Sequence, residues 1–176
     1  MKDSLDGGAG NDFISFTGAT SGVTVDLSVS STQVIGTSDG SDTLINFESI
    51  IGSASADTLT GSSTDNTLSG AAGNDTITGG AGNDSIDGGD GSDIAIFAGT
   101  KSTYTITPSG STVTVVDTNA GVNGDDGTDT LTNVEILRFS DQDVAFSALE
   151  TPITNLSSLA GTNGFRLDGT AAGDRV

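Results

Sequence analysis

From Gly52 to Ile96 the chain runs in a nine-residue register. The units are GSASADTLT (52–60), GSSTDNTLS (61–69), GAAGNDTIT (70–78), GGAGNDSID (79–87) and GGDGSDIAI (88–96). Position one is glycine in every unit, position six is Asp57, Asn66, Asp75, Asp84 and Asp93, and position eight is Leu59, Leu68, Ile77, Ile86 and Ala95. A further unit, GGAGNDFIS, stands alone at 7–15. Each unit offers glycine-rich turn residues, which tolerate positive φ, followed by a short strand with a single inward apolar side chain. One unit cannot bury that side chain, but stacked units form a continuous narrow core. A turn–strand–turn–strand coil takes two units per circuit, so loops n and n+2 are expected to lie one above the other.

Composition narrows the function. Of 176 residues only 41 are Leu, Ile, Val or Phe, and the net charge is −19. A conventional core is therefore thin, and something besides apolar burial must hold the chain together. The chain lacks cysteine and histidine. That excludes a disulfide framework, thiolate or imidazole metal sites and a Ser-His-Asp triad. Its apolar runs are too short for a membrane-spanning helix. The acidity argues against nucleic acid and anionic membranes as partners.

Of the 24 acids, 21 are Asp. A solvated acidic face would use more Glu, whereas Asp suits turns and reaches a cation held in a tight loop. Stacking the units brings the position-six acids of each edge together, where like charges repel without a cation between them. Oxygen-only ligands select Ca²⁺ over zinc or copper.

These units resemble the RTX nonapeptide G-G-x-G-x-D-x-U-x, and the intact copies are at 7–15, 70–78, 79–87 and 88–96. The units at 52–60 and 61–69 are degenerate. The resemblance implies an all-β, right-handed parallel β-roll with capping strands, binding several calcium ions between loops n and n+2. Carried over by position, the expected ligands are Asp12, Asp57, Asn66, Asp75, Asp84 and Asp93 at position six. Carbonyls at positions one, three and five are expected to complete the shells. They belong to Gly70, Ala72 and Asn74, to Gly79, Ala81 and Asn83, and to Gly88, Asp90 and Ser92. Asp57 with Asp75 and Asp75 with Asp93 each frame an ion, the second being the stronger seat. Asn66 with Asp84 frames a weaker one. Asp65 and Asp87 fall outside the pattern and read as solvated.

A longer repeat overlies the first. The segment from Asp39 to Ile50 aligns with Asp126 to Leu137 at an offset of 87, with seven of twelve residues identical. This DG[ST]DTLxNxE element closes a connector that also carries a strand, at 23–27 and again at 112–116. Asp39, Asp42, Asp126 and Asp129 admit two readings, a further calcium per connector or a hydrogen-bonded Asp-Gly turn. Glu48 and Glu135 are candidates for satisfying loop amides.

The resulting division is 1–51 as the end of a preceding RTX block with a connector continuous with the roll, 52–97 as the five-unit roll, 98–149 as C-terminal capping strands, and 150–176 as a linker or the start of a following domain. Residues 161–170 resemble the first strand of an FG-GAP repeat. Both ends read as cuts from a larger protein. The expectation is a monomeric calcium-binding structural module of a large secreted bacterial protein or adhesin, leaving by type I secretion, folding on calcium outside the cell and contacting neighbouring domains of its parent. The competing reading is a calcium-dependent accessory module that binds extracellular polysaccharide. An enzyme is the least favoured reading, because the carboxylates occupy metal positions.

Overall fold

A computed structural model of the protein describes residues 3–36, 40–119, 121 and 125–149. The expected feature at 161–170, and Asp39, lie outside the described residues. The strands in chain order are β1 (Ser4–Asp6), β2 (Phe13–Ser15), β3 (Thr24–Asp26), β4 (Gln33–Gly36), β5 (Gly40–Ile45), β6 (Ser49–Ile51), β7 (Thr58–Thr60) and β8 (Thr67–Ser69). They continue with β9 (Thr76–Thr78), β10 (Ser85–Asp87), β11 (Ile94–Ile96), β12 (Tyr104–Ser109), β13 (Thr112–Asp117), β14 (Thr128–Thr132), β15 (Ile136–Arg138) and β16 (Asp143–Ala145).

Each nonapeptide strand is positions seven to nine of its unit, bounded by glycine-rich turns. Successive units alternate between two sheets. One sheet has the order β12-β13-β14-β10-β8-β6-β2 and the other β16-β15-β11-β9-β7-β3. Every rung of the roll pairs in parallel with the rung one coil away, so Leu59 faces Ile77, Ile77 faces Ala95, and Ile50 faces Leu68. The chain is all-β with the architecture of a parallel β-roll.

The parallel rungs extend beyond the five nonapeptides. β2 pairs with β6 and β3 with β7 on one side, while β10 pairs with β14 and β11 with β15 on the other. The core is two facing columns. Ile50, Leu68, Ile86 and Leu131 line one sheet, and Val25, Leu59, Ile77, Ala95 and Leu137 line the other, each at most 2% exposed. With one inward side chain per strand, stability depends on every rung adding to its neighbours.

The hairpin β12–β13 covers the C-terminal end, antiparallel to β14. Behind it Phe97, Tyr104 and Phe139 form an aromatic cluster with ring centroids 5.1–5.4 Å apart. The Tyr104 hydroxyl accepts the Gly99 N–H and donates to Asp126, locking the hairpin to the loop that precedes β14. In the first connector β4 pairs antiparallel with β5, as β13 does with β14. There, however, β3 joins the second sheet through β7 and does not stop as a cap. The N-terminal end leaves Leu5 and Phe13 exposed.

Ile77→Ala should open a cavity with no way to collapse between fixed rungs. It should lower the stability of the calcium-saturated protein by about 2–5 kcal/mol in guanidinium melts. Thr76→Ala, on the outer face of the same strand, should stay within about 0.5 kcal/mol of the parent.

Candidate metal centre

Position six sits where a loop turns into its strand, and its side chain reaches back to the coil beside it. On one edge Asp57 Oδ1 accepts the N–H of Val23 (2.7 Å), Asp75 Oδ1 that of Asp57 (2.8 Å), Asp93 Oδ1 that of Asp75 (2.8 Å) and Glu135 Oε2 that of Asp93 (2.7 Å). On the other edge Glu48 Oε2 accepts the N–H of Asp12 (3.0 Å), Asp84 Oδ1 that of Asn66 (2.8 Å) and Asp129 Oδ1 that of Asp84 (2.9 Å). Asn66 Nδ2 completes that column by donating to the Glu48 carbonyl at 3.0 Å. The expected edges are thus the observed ones, with Asp57, Asp75 and Asp93 on one and Asn66 and Asp84 on the other.

The two glutamates satisfy loop amides, and their length has a reason. Asn46 and Asn133 adopt φ of 56° and 50° and turn the chain early, so the acid follows two residues later and not five. A longer side chain spans the gap that an aspartate in a full loop would close.

The position-six groups of the five consecutive units are buried, from 0% exposure at Asp93 to 3% at Asp57 and Asn66, while Asp12 is half-buried. Yet Asp12, Asp75, Asp84 and Asp93 each keep a buried Oδ2 without a hydrogen-bond partner. These four orphans fall in the four intact repeats. The two degenerate units have none, because there the backbone N–H of position two, a serine without the left-handed φ of the intact units, turns onto the position-six side chain. Ser53 donates its N–H to Asp57 Oδ2 at 2.6 Å and its hydroxyl to Asp57 Oδ1 at 2.8 Å. Ser62 likewise donates its N–H to Asn66 Oδ1 at 2.7 Å. In the intact units position two is Gly8, Ala71, Gly80 or Gly89, with φ of 95°, 75°, 103° and 96°. That left-handed turn accompanies an open carboxylate.

Position one is glycine because the carboxylate lies over its Cα. A Cβ on Gly70 or Gly79 would stand 2.2 Å from Oδ2 of Asp75 or Asp84. The expected carbonyl donors Gly70, Ala72, Asn74, Gly79, Ala81, Asn83, Gly88, Asp90 and Ser92 lie in the same stacked loops. The stack is tight: Ala72 and Asp90 form a parallel bridge, and the Asp90 carbonyl accepts the Gly73 N–H at 2.9 Å. Position five adds an outer row. Asn74 Oδ1 accepts the Ser92 N–H (3.0 Å) and Asn83 Oδ1 the Thr128 N–H (3.0 Å). Asp65 is exposed, as the solvated reading has it, and Asp87 is half-buried, and each also accepts a hydrogen bond from another coil. Asp65 accepts the Asn83 N–H in this row, and Asp87 accepts from the Asn133 amide, both at 2.8 Å.

Electrostatics at these columns is unfavourable to bare carboxylates. Burial, with the charges of Asp57 and Asp93 adding, pushes Asp75 up from 3.8 to about 6. Burial raises Asp84 to about 6, with Asp65 and Asp126 contributing. Burial raises Asp93 as well, with Glu135 and Asp87 contributing. Asp129 rises furthest, to about 8, through burial and the charges of Asp84, Asp126 and Asp117. A desolvated acid with a spare oxygen and no counter-charge fits a hard cation. Among the described residues no three acidic side chains gather round one point. A cation here therefore draws its remaining ligands from backbone carbonyls and water.

The raised values fix the sign of the pH response. Without calcium the folded chain holds these protons more tightly than the unfolded chain, so stability falls as pH rises from 3.8 through about 6 to 8. Chelated protein should hold more β structure at pH 5 than at pH 8, and calcium should bind more tightly as pH rises over the same range. Far-UV circular dichroism of chelated samples and isothermal titration at each pH test both. Ser53→Ala should cost about 1–3 kcal/mol by stripping a donor from buried Asp57, read in calcium-saturated melts.

No helix among the described residues is long and apolar enough to cross a membrane. No curated protein matches the chain. Among solved structures, the extracellular lipase LipA from Serratia marcescens aligns at 24% identity and a TM-score of 0.45, over 52% of this chain and 14% of the lipase. The pattern described as the RTX calcium-binding nonapeptide repeat (4 copies) matches residues 2–17, 47–76 and 60–95. These matches take in the intact repeats at 7–15, 70–78 and 79–87 and all but the last residue of that at 88–96, and the chain carries RTX calcium-binding nonapeptide repeats.

Proposed function

We propose that the chain is a calcium-driven folding and scaffold module of a larger secreted bacterial protein. The observation that carries this reading is the coincidence of the four orphaned carboxylate oxygens with the four intact repeats. In a cytosol poor in calcium, −19 charges and buried acids without counter-ions keep the chain expanded, a state suited to type I secretion. Outside the cell calcium neutralises the position-six columns, and the free energy of metal binding becomes free energy of folding.

The ions are held by Asp12, Asp75, Asp84 and Asp93, with carbonyls of positions one, three and five. The seat between Asp75 and Asp93 is the strongest, because both loops are intact. Asp57 and Asn66 contribute less, since Ser53 and Ser62 already occupy their oxygens. The acids in these columns are committed to loop amides and metal, so the chain's role is structural and any catalysis belongs elsewhere in the parent protein.

A calcium titration of chelated protein, followed by far-UV circular dichroism, should show a coil-to-β transition at about 10⁻⁴–10⁻³ M calcium. Magnesium should fail to produce it. A chain already folded without calcium and unmoved by it would overturn the proposal. The double variant Asp75→Ala, Asp93→Ala should lose the tightest ion, and unchanged calcium stoichiometry would place the ions elsewhere.

A further inference from the structure

Residues 127–132, Gly-Thr-Asp-Thr-Leu-Thr, are outside the matched repeats and follow a long hairpin insertion. They nevertheless reproduce positions four to nine of a nonapeptide, as Gly82-Asn83-Asp84-Ser85-Ile86-Asp87 does one coil earlier. β14 pairs in parallel with β10 in the register of the repeats, Ser85 facing Thr130 and Ile86 facing Leu131. Gly127, at φ 71°, approaches so closely that a Cβ there would stand 1.9 Å from the Gly82 carbonyl oxygen. Thr128 donates its N–H to Asn83 Oδ1 at 3.0 Å, continuing the outer row. The cap therefore restores the stacked loop edge after breaking its sequence.

Asp129 takes position six of this restored loop. Its Oδ1 accepts the Asp84 N–H at 2.9 Å, the same link that joins Asp75 to Asp93. Asp84 and Asp129 are each 2% exposed. The Oδ2 of Asp84 is buried without a partner. Position two of this unit is Gly80, so no serine closes the loop, and the charges facing the pair are Asp65, Asp117 and Asp126, all negative. A groove lined by Asn66, Asn83, Asp84 and Thr128 gives solvent access.

We infer that the cap supplies a calcium site of its own making: Asp129 and Asp84, with carbonyls of the 79–84 and 127–129 loops, hold a Ca²⁺ ion that ties the capping element to the last coil. The inference rests on the calcium reading of the repeats and extends it to residues that are not repeat. It makes docking of the cap, and so sealing of the roll's end, dependent on calcium.

The test uses the full chain and calcium itself as the probe. Asp129→Asn keeps an oxygen to accept the Asp84 N–H and removes only the charge. Isothermal titration and native mass spectrometry should count one ion fewer in Asp129→Asn than in the parent. An unchanged count and affinity in Asp129→Asn, while Asp93→Asn loses an ion, would overturn the cap site and leave the repeat sites standing. A parent chain that binds no calcium would overturn both readings. Should Asp129→Asn fail to fold, paramagnetic broadening in the folded, calcium-loaded parent chain decides. Tb³⁺ exchanged into its calcium sites should broaden the amides of Asp84 and residues 128–130, and broadening confined to residues 70–78 and 88–96 would overturn the inference.

Discussion

The structure depends on a carboxylate that accepts the backbone N–H of the neighbouring coil. Asp75 takes the amide of Asp57, Asp93 that of Asp75, and Asp129 that of Asp84. The bond fixes the loops in register, since any slip would leave a buried amide unpaired. It also forces acids into a low-dielectric column beside one another, where each destabilises the next. The fold thus creates the electrostatic problem that a cation solves. Holding the loops apart with neutral side chains would remove the problem and the calcium dependence together.

Ser53 and Ser62 are the internal comparison. They occupy position two in the degenerate units and donate into the position-six group, leaving no spare oxygen. In the intact units position two turns left-handed and the oxygen stays open. The roll therefore mixes two kinds of rung, one closed by protein donors and one completed by metal. The closed rungs lie in the middle of the chain, with intact repeats on both sides, so rungs that need no ion adjoin rungs that do. In a solenoid each coil is stabilised chiefly by its neighbours, and a closed coil is a template on which open ones can order.

The ends are handled by different means. The glutamates Glu48 and Glu135 cap columns where the loop is shortened, and the β12–β13 hairpin with its Tyr104–Asp126 lock covers the final coil. In the first connector the corresponding element splices one stretch of roll to the next through β3. One connector design serves as splice or as cap, according to whether further repeats pair with it.

The nine-residue register, the alternation of turns and strands, the pairing of loops n and n+2 and the two acidic edges are all legible in the amino-acid sequence. These follow from local chemistry: glycine at position one, aspartate at position six and one apolar residue at position eight act within a unit and repeat. Glu48 and Glu135 as amide acceptors were legible too, because glutamate is rare in this chain and stands out. The rest depends on contacts between distant segments. Asp129 left two readings open in the sequence, because the 45 residues separating it from Asp84 hide the restored register. Ser53 and Ser62 looked like mere departures from the repeat, since the closure they provide depends on the φ of position two. The hydrogen bonds of Asp65 and Asp87 were hidden because their partners, Asn83 and Asn133, lie 18 and 46 residues away and meet them only when the coils stack.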